Sequence, residues 1–252
     1  MLEGFQDFFR ELAETYPKWN FIYFYDPTQT ERVLSGVWMT IVLAVVCVLL
    51  SVVIGVLGAW LQTSPLRTLR LAIQGYIQFF RNTPPLVQLL FFYFALGQFT
   101  PTYSPDGWLE VPIISNVGWA ILSLSFFAGA FNVEIFRAGI EAVPDSTKEA
   151  AEALGMNRLQ IYIYVVLPLA FRVSLPSLNN NLVNLVKTTT QAMVIAVPEL
   201  LYQMVNIYND YSTAQNACMT FMFVFYILLV GLLVMGMNKW ERGMRIPGYG
   251  SR

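Results

Sequence analysis

The chain has 252 residues, 56% of them hydrophobic and only 12% charged, with a formal net charge of −1 and no histidine. Soluble domains carry about 25% charged residues, so this chain has too little charge to cover a water-facing surface. The absence of histidine removes the commonest general base and metal ligand, the balanced charge argues against nucleic acid as a partner, and Cys47 and Cys218 lie in separate apolar runs, as packed thiols rather than a disulfide or metal site.

Residues 1–32 form the first segment. They are acidic, with Glu3, Asp7, Glu11, Glu14, Asp26 and Glu31 against Arg10, Lys18 and Arg32, and lack the basic and apolar regions of a signal peptide. Phe5, Phe8, Phe9 and Leu12 share one helical face, which predicts a short helix on the membrane surface. Residues 33–240 form the spanning domain, with five predicted segments near 33–61, 85–97, 117–140, 169–186 and 217–238. The second is expected to be lengthened by a helix over 68–80. Arg67, Arg70, Arg81, Arg137, Lys148, Arg158, Lys239, Arg242, Arg245 and Arg252 fall on one side of this arrangement, while the loops 98–116 and 201–216 hold Asp106, Glu110 and Asp210 and no cation. The positive-inside rule then places the N-terminus outside and the tail, 241–252, in the cytoplasm.

Between the third and fourth spans, residues 141–168 are too polar for the bilayer. Ser146–Glu149 fits a capping box, Glu149 to Leu154 are good helix formers, and Gly155 supplies a left-handed stop. A second short helix is expected from Asn157, with Leu167-Pro168 turning the chain into the fourth span. The physics alone leaves an ordinary amphipathic loop as an equal alternative. Here, however, Glu149-Ala150-Ala151, Gly155, Val165 and Leu167-Pro168 stand at the spacings of the Glu-Ala-Ala loop of ABC importer permeases, which the stretch resembles. Arg81-Asn82-Thr83-Pro84-Pro85-Leu86, Glu134 to Ile140, Pro176, Leu178, Asn180, Lys187, Thr189 and Glu199-Leu200 resemble the polar amino-acid branch (histidine, glutamine, glutamate and arginine types) over about residues 33–240. Phe131, Ser146-Thr147, Thr188 and Gln191 depart from that branch's pattern, the last two near the expected path of the cargo.

The resemblance implies an all-α integral membrane fold: a five-helix type I importer core with an N-terminal surface helix and a cytoplasmic coupling helix. In that family the loop docks on an ATP-binding subunit, which assigns coupling to Glu149, Ala150, Ala151, Ala153, Leu154 and Gly155. It also implies a dimer of ATP-binding subunits, a second permease subunit identical or related to this one, and an external solute-binding protein. The chain contains no phosphate-binding loop ending in Gly-Lys-Ser or Gly-Lys-Thr, so ATP and Mg would reside on the partner, with no cofactor or catalytic residue here.

The fourth span carries Ser177, Asn180, Asn181, Asn184, Lys187 and Thr188 at helical steps, placing them on one face. Unpartnered polar groups are costly in hydrocarbon, so these either bond neighbouring helices or line a path for cargo. Lys187 could pair with Glu134 or Glu199 or snorkel to an interface, and pairing is the favoured expectation. Arg81, Glu134 and Arg137 could form an ion-pair belt or simply anchor the spans. Three alternatives remain at this point: an importer of another small solute such as an opine or cystine, a stand-alone channel, and a secondary transporter.

Overall fold

The computed structural model describes residues 2–105 and 107–244; Asp106 and the tail cations Arg245 and Arg252 lie outside the described residues. Ten α-helices carry the described fold: α1 (Leu2–Thr15), α2 (Pro27–Gln62), α3 (Arg67–Asn82), α4 (Pro85–Leu90), α5 (Asn116–Glu141), α6 (Asp145–Ala153), α7 (Arg158–Ile161), α8 (Leu167–Thr188), α9 (Leu200–Asp210) and α10 (Gln215–Met244). Beyond short helical turns there is one small antiparallel ribbon, which pairs Thr102 with Pro112 and Tyr103 with Val111.

Four helical runs are long and apolar enough to cross a membrane: Pro27–Gln62, Asn116–Glu141, Arg158–Ile195 and Ser212–Met244. The second expected span is shorter, Pro85–Phe99, and α3 does not lengthen it. Thr83 is extended because the following Pro84 disfavours helical backbone at the residue before it. The first span begins earlier than expected, at Pro27 rather than Val33. Asp26 Oδ1 accepts from Thr28 and Gln29 N–H at 2.9 and 3.2 Å, and Pro27 is pre-set for a first helical turn.

The turn expected at Leu167-Pro168 does not form. α7 passes through a π-helical turn, Tyr162–Val166, into α8 as one helical run. The wider turn lets Leu167 N–H reach the Tyr162 carbonyl, so the ladder has already changed step where Pro168 removes a donor. α8 likewise continues through Pro176.

The described residues pack into two compact units. One comprises residues 2–46, 89–121 and 187–231. Its core gathers Tyr23, Val33, Leu200, Met204 and Ile207, with Cys218 buried as a free thiol. Tyr23 Oη donates to the Ala217 carbonyl at 3.1 Å, and Arg32 pairs with Asp210 at 2.9 Å. In α1, Phe9 packs on Phe21 and Phe24, whereas Phe5 and Phe8 stay exposed.

The other unit comprises 47–88, 122–186 and 232–244. There α2 and α5 approach closely because small residues face each other's partners. A Cβ on Gly55 would collide with Asn132, and one on Gly58 with Val133. Such small-residue crossings suit membrane helices, whose association depends on packing and hydrogen bonds rather than on burial from water.

Candidate translocation path and docking loop

The loop between α5 and α8 starts at its helix. α6 begins at Asp145 behind Pro144, one residue before the expected cap, and Ser146 makes no capping bond. The Ser146–Glu149 capping box is therefore corrected: both residues already lie inside the helix, whose first turn carries Asp145 instead. Lys148 Nζ pairs with Asp145 at 2.8 Å and holds its carboxyl below the usual carboxylate range. The end of α6 follows the sequence expectation. Gly155 has φ +81°, Gly155 N–H bonds the Glu152 carbonyl at 2.9 Å, and Met156 N–H bonds that of Ala151 at 3.2 Å. These two bonds form a Schellman stop, which needs a residue free to adopt the left-handed region. α7 then starts at a reciprocal cap between Asn157 and Gln160.

The six coupling residues do not all face the same way. Glu149, Ala150, Ala153, Leu154 and Gly155 are exposed, and Leu154 is 83% exposed. Ala151 is buried, packed with Val143, Ile161, Val166 and Ala170, so its side chain serves the loop's own core instead of an outside surface. That small core ties α6 to the end of α5 and the start of α8. Leu159, 67% exposed beside α6, was not singled out from the sequence. Leu154 and Leu159 are thus two large, exposed apolar side chains beside a helix stopped at Gly155.

A second cluster sits near the end of α5. Glu134 binds Arg137 at 3.0 Å and Arg81 of α3 at 3.6 Å, and Arg137 reaches Glu141 at 2.6 Å. Arg81 also lies over the Phe131 ring at 5.4 Å. Arg81, Glu134 and Arg137 are thus brought together as an ion-paired set. Glu141 went unnoticed in the sequence, although its four-residue step from Arg137 marks it as a helical partner. Arg81, Phe131, Glu134 and Arg137, with Ser174 and Ser177 of α8, line a cavity of about 360 Å³. At its edge α5 and α8 nearly touch: a Cβ on Gly139 would overlap the Ser174 hydroxyl and crowd the Ala170 carbonyl.

The polar stripe of α8 separates into two sets. Asn181 turns into the protein, where its Nδ2 donates to Asn132 Oδ1 at 2.7 Å and to the Ala128 carbonyl at 3.1 Å. Asn132 in turn donates to Ser51 at 3.2 Å, a chain that joins α2, α5 and α8. Thr188 is buried. Ser177, Asn180, Asn184 and Lys187 are exposed, at steps of three, four and three residues. The favoured pairing of Lys187 is corrected, since no carboxylate among the described residues pairs with it. Glu134 is held by its two arginines. Glu199 is 1% exposed, caps α9 by accepting from Leu201 and Tyr202 N–H at 2.9 Å, and receives the Tyr226 hydroxyl at 2.8 Å.

With this geometry in hand, residues 51–242 match the family described as "Binding-protein-dependent transport system inner membrane component". The glutamate/aspartate import permease protein GltJ of Escherichia coli strain K12 is 30% identical over 217 residues, covering 85% of this chain and 87% of that protein. The probable glutamine ABC transporter permease protein GlnM of Bacillus subtilis strain 168 is 28% identical over 209 residues, covering 83% and 91%. Among solved structures, that of an amino acid ABC transporter with histidines superposes with a TM-score of 0.73 at 29% identity, covering 84% of this chain and 94% of that one. The chain belongs to the binding-protein-dependent inner membrane component family: it is the multi-pass, inner-membrane permease subunit of an ABC importer, not an enzyme, and its system includes a separate ATP-binding subunit and a solute-binding protein.

Proposed function

We propose that this subunit forms the path of a polar amino acid across the membrane, that its N-terminus lies outside and its tail inside, and that α6 receives the stroke of the ATP-binding subunit. One observation carries the proposal: the family match takes in both the exposed helix stopped at Gly155 and the exposed polar face of α8. The named cargoes of the similar permeases, glutamate/aspartate and glutamine, support an amino acid over an unrelated solute.

Mechanically, force on α6 passes through the Ala151 and Val166 core into the ends of α5 and α8. The ion pairs of Glu134 keep α3 and α5 moving together. The polar face of α8 needs an aqueous lining or a second permease subunit opposite it, because amides and an ammonium left against lipid are costly. ATP and Mg act on the partner subunit. The test is co-purification from native membranes. A stoichiometric ATP-binding subunit and ATP-dependent uptake, both lost in Gly155→Asp or Glu149→Lys, are expected. A chain that purifies alone and moves amino acids without ATP would overturn the proposal.

A further inference from the structure

The start of α3 presents positive charge that no carboxylate among the described residues answers. We propose that it binds the headgroup of an acidic phospholipid from the surrounding bilayer. The site is a cavity of about 330 Å³, lined by Gln62 at the end of α2 and by Arg67, Arg70, Leu71 and Gln74 of α3. All five residues belong to one compact unit.

α3 uses its two faces differently. Ile73, Tyr76 and Ile77 pack into a core with Ala59 and Val133, and the Tyr76 hydroxyl donates to the Phe126 carbonyl at 2.6 Å. That inward face fixes the outward one. Arg67, Arg70, Leu71 and Gln74 sit at i, i+3, i+4 and i+7, hence on one side of the helix, and all four are exposed. Arg70 Nη1 donates to the Ser64 and Pro65 carbonyls at 2.7 and 3.2 Å. Those bonds tie its guanidinium to the turn between α2 and α3 and leave its other N–H donors available. Neither Arg67 nor Arg70 forms an ion pair among the described residues. Gln62 approaches Glu134, but that carboxylate is already held by Arg81 and Arg137. The cavity wall thus holds two cations, two amides and no acid.

This donor set suits a phosphodiester. Guanidinium groups pair with phosphate oxygens in a fork, and amide N–H groups can meet the oxygens that remain. The apolar neighbours place that phosphate in a membrane. The apolar run of α2 ends at Leu61, and Trp60 beside it is exposed; tryptophan is enriched at the level of lipid headgroups. Leu66 and Leu71, each next in sequence to one of the arginines, are exposed as well. A soluble anion leaves these three side chains uncovered. A phospholipid offers them acyl chains while its phosphate meets Arg67 and Arg70. A zwitterionic headgroup carries its own cation, which cancels the phosphate. An acidic headgroup keeps a net negative charge for the two arginines.

The test is native mass spectrometry of the intact transporter, purified with its ATP-binding subunit in detergent and titrated with phosphatidylglycerol or phosphatidylcholine. Phosphatidylglycerol is expected to bind more tightly. Each arginine beside an acidic lipid surface contributes about fivefold, so Arg67→Gln with Arg70→Gln should weaken phosphatidylglycerol about 25-fold. Arg242→Gln removes an exposed cation at the end of α10 and should change nothing. Because Arg70 also holds the turn, thermal unfolding checks the double variant. If that variant is misfolded, Arg67→Gln alone decides, with a loss of about fivefold expected. Equal binding of the two lipids, undiminished phosphatidylglycerol in the Arg67→Gln protein, or a matching loss in Arg242→Gln would overturn the site. Displacement of phosphatidylglycerol by inorganic phosphate would also overturn it, by showing a site for a soluble anion. Amino-acid uptake is measured separately, so the importer reading stands or falls on its own test.

Discussion

α5 and α8 carry similar polar residues and use them in opposite ways. On α5, Asn132 is fully buried and bonded to Ser51 and Asn181, and Glu134 is clamped between two arginines. On α8, Ser177, Asn180 and Lys187 are exposed. Polar groups that close on one another within the subunit act as glue. Those left open in a membrane helix require something outside the subunit, whether water, a second subunit or cargo. The same residue type, asparagine, serves both ends, and which it serves depends on the helix face it occupies.

The comparison can be broken most severely where the two helices touch. Gly139→Leu, which drives a large side chain into Ser174 and the Ala170 carbonyl, is expected to abolish a monodisperse subunit on size-exclusion chromatography; normal elution would show that the crossing tolerates bulk. Next in size is the buried amide chain. Asn132→Ala strands Asn181 inside, and such orphaned groups cost about 1–3 kcal/mol, read as a lower midpoint of thermal unfolding in detergent. Asn180→Ala, by contrast, is expected to stay within about 0.5 kcal/mol, as exposed substitutions do, while uptake falls. If Asn180→Ala destabilised as much as Asn132→Ala, the division between glue and open face would fail.

A smaller effect is expected from Leu154→Ser with Leu159→Ser on the docking loop. Both side chains are exposed, so the unfolding midpoint of the isolated subunit should hold while co-purified ATP-binding subunit drops. The least effect concerns Asp145. Its carboxyl is held low by Lys148, so the pair steadies α6 above the unfolded carboxylate pKa of about 3.9. That contribution is lost as the pH falls through the lower, folded value. The protection of the α6 amides, taken relative to their intrinsic exchange rate at each pH, should therefore fall on acidification, and Lys148→Ala should remove that pH dependence.

Much of the docking loop was legible in residue order because its signals are local. Gly155 stops a helix wherever a left-handed residue is needed, and Asn157 with Gln160 makes a cap from neighbours alone. The capping box at Ser146 misled, since Pro144 and Asp145 already start the helix one turn position earlier. The break at Thr83 was likewise written in Pro84, but an apolar stretch on either side concealed it.

By itself the sequence determined that the protein lives in a membrane, which stretches form its long apolar helices, and that α8 has a polar side, because composition and helical period act within a single element. Only the tertiary structure decided which residues of that side are used within the subunit. Asn181 and Ala151 turned inward, and Lys187 was left without the carboxylate expected for it. Those outcomes depend on which groups other helices bring within about 3 Å of a donor, the reach of a hydrogen bond, and a helix's own period does not encode the faces of its neighbours.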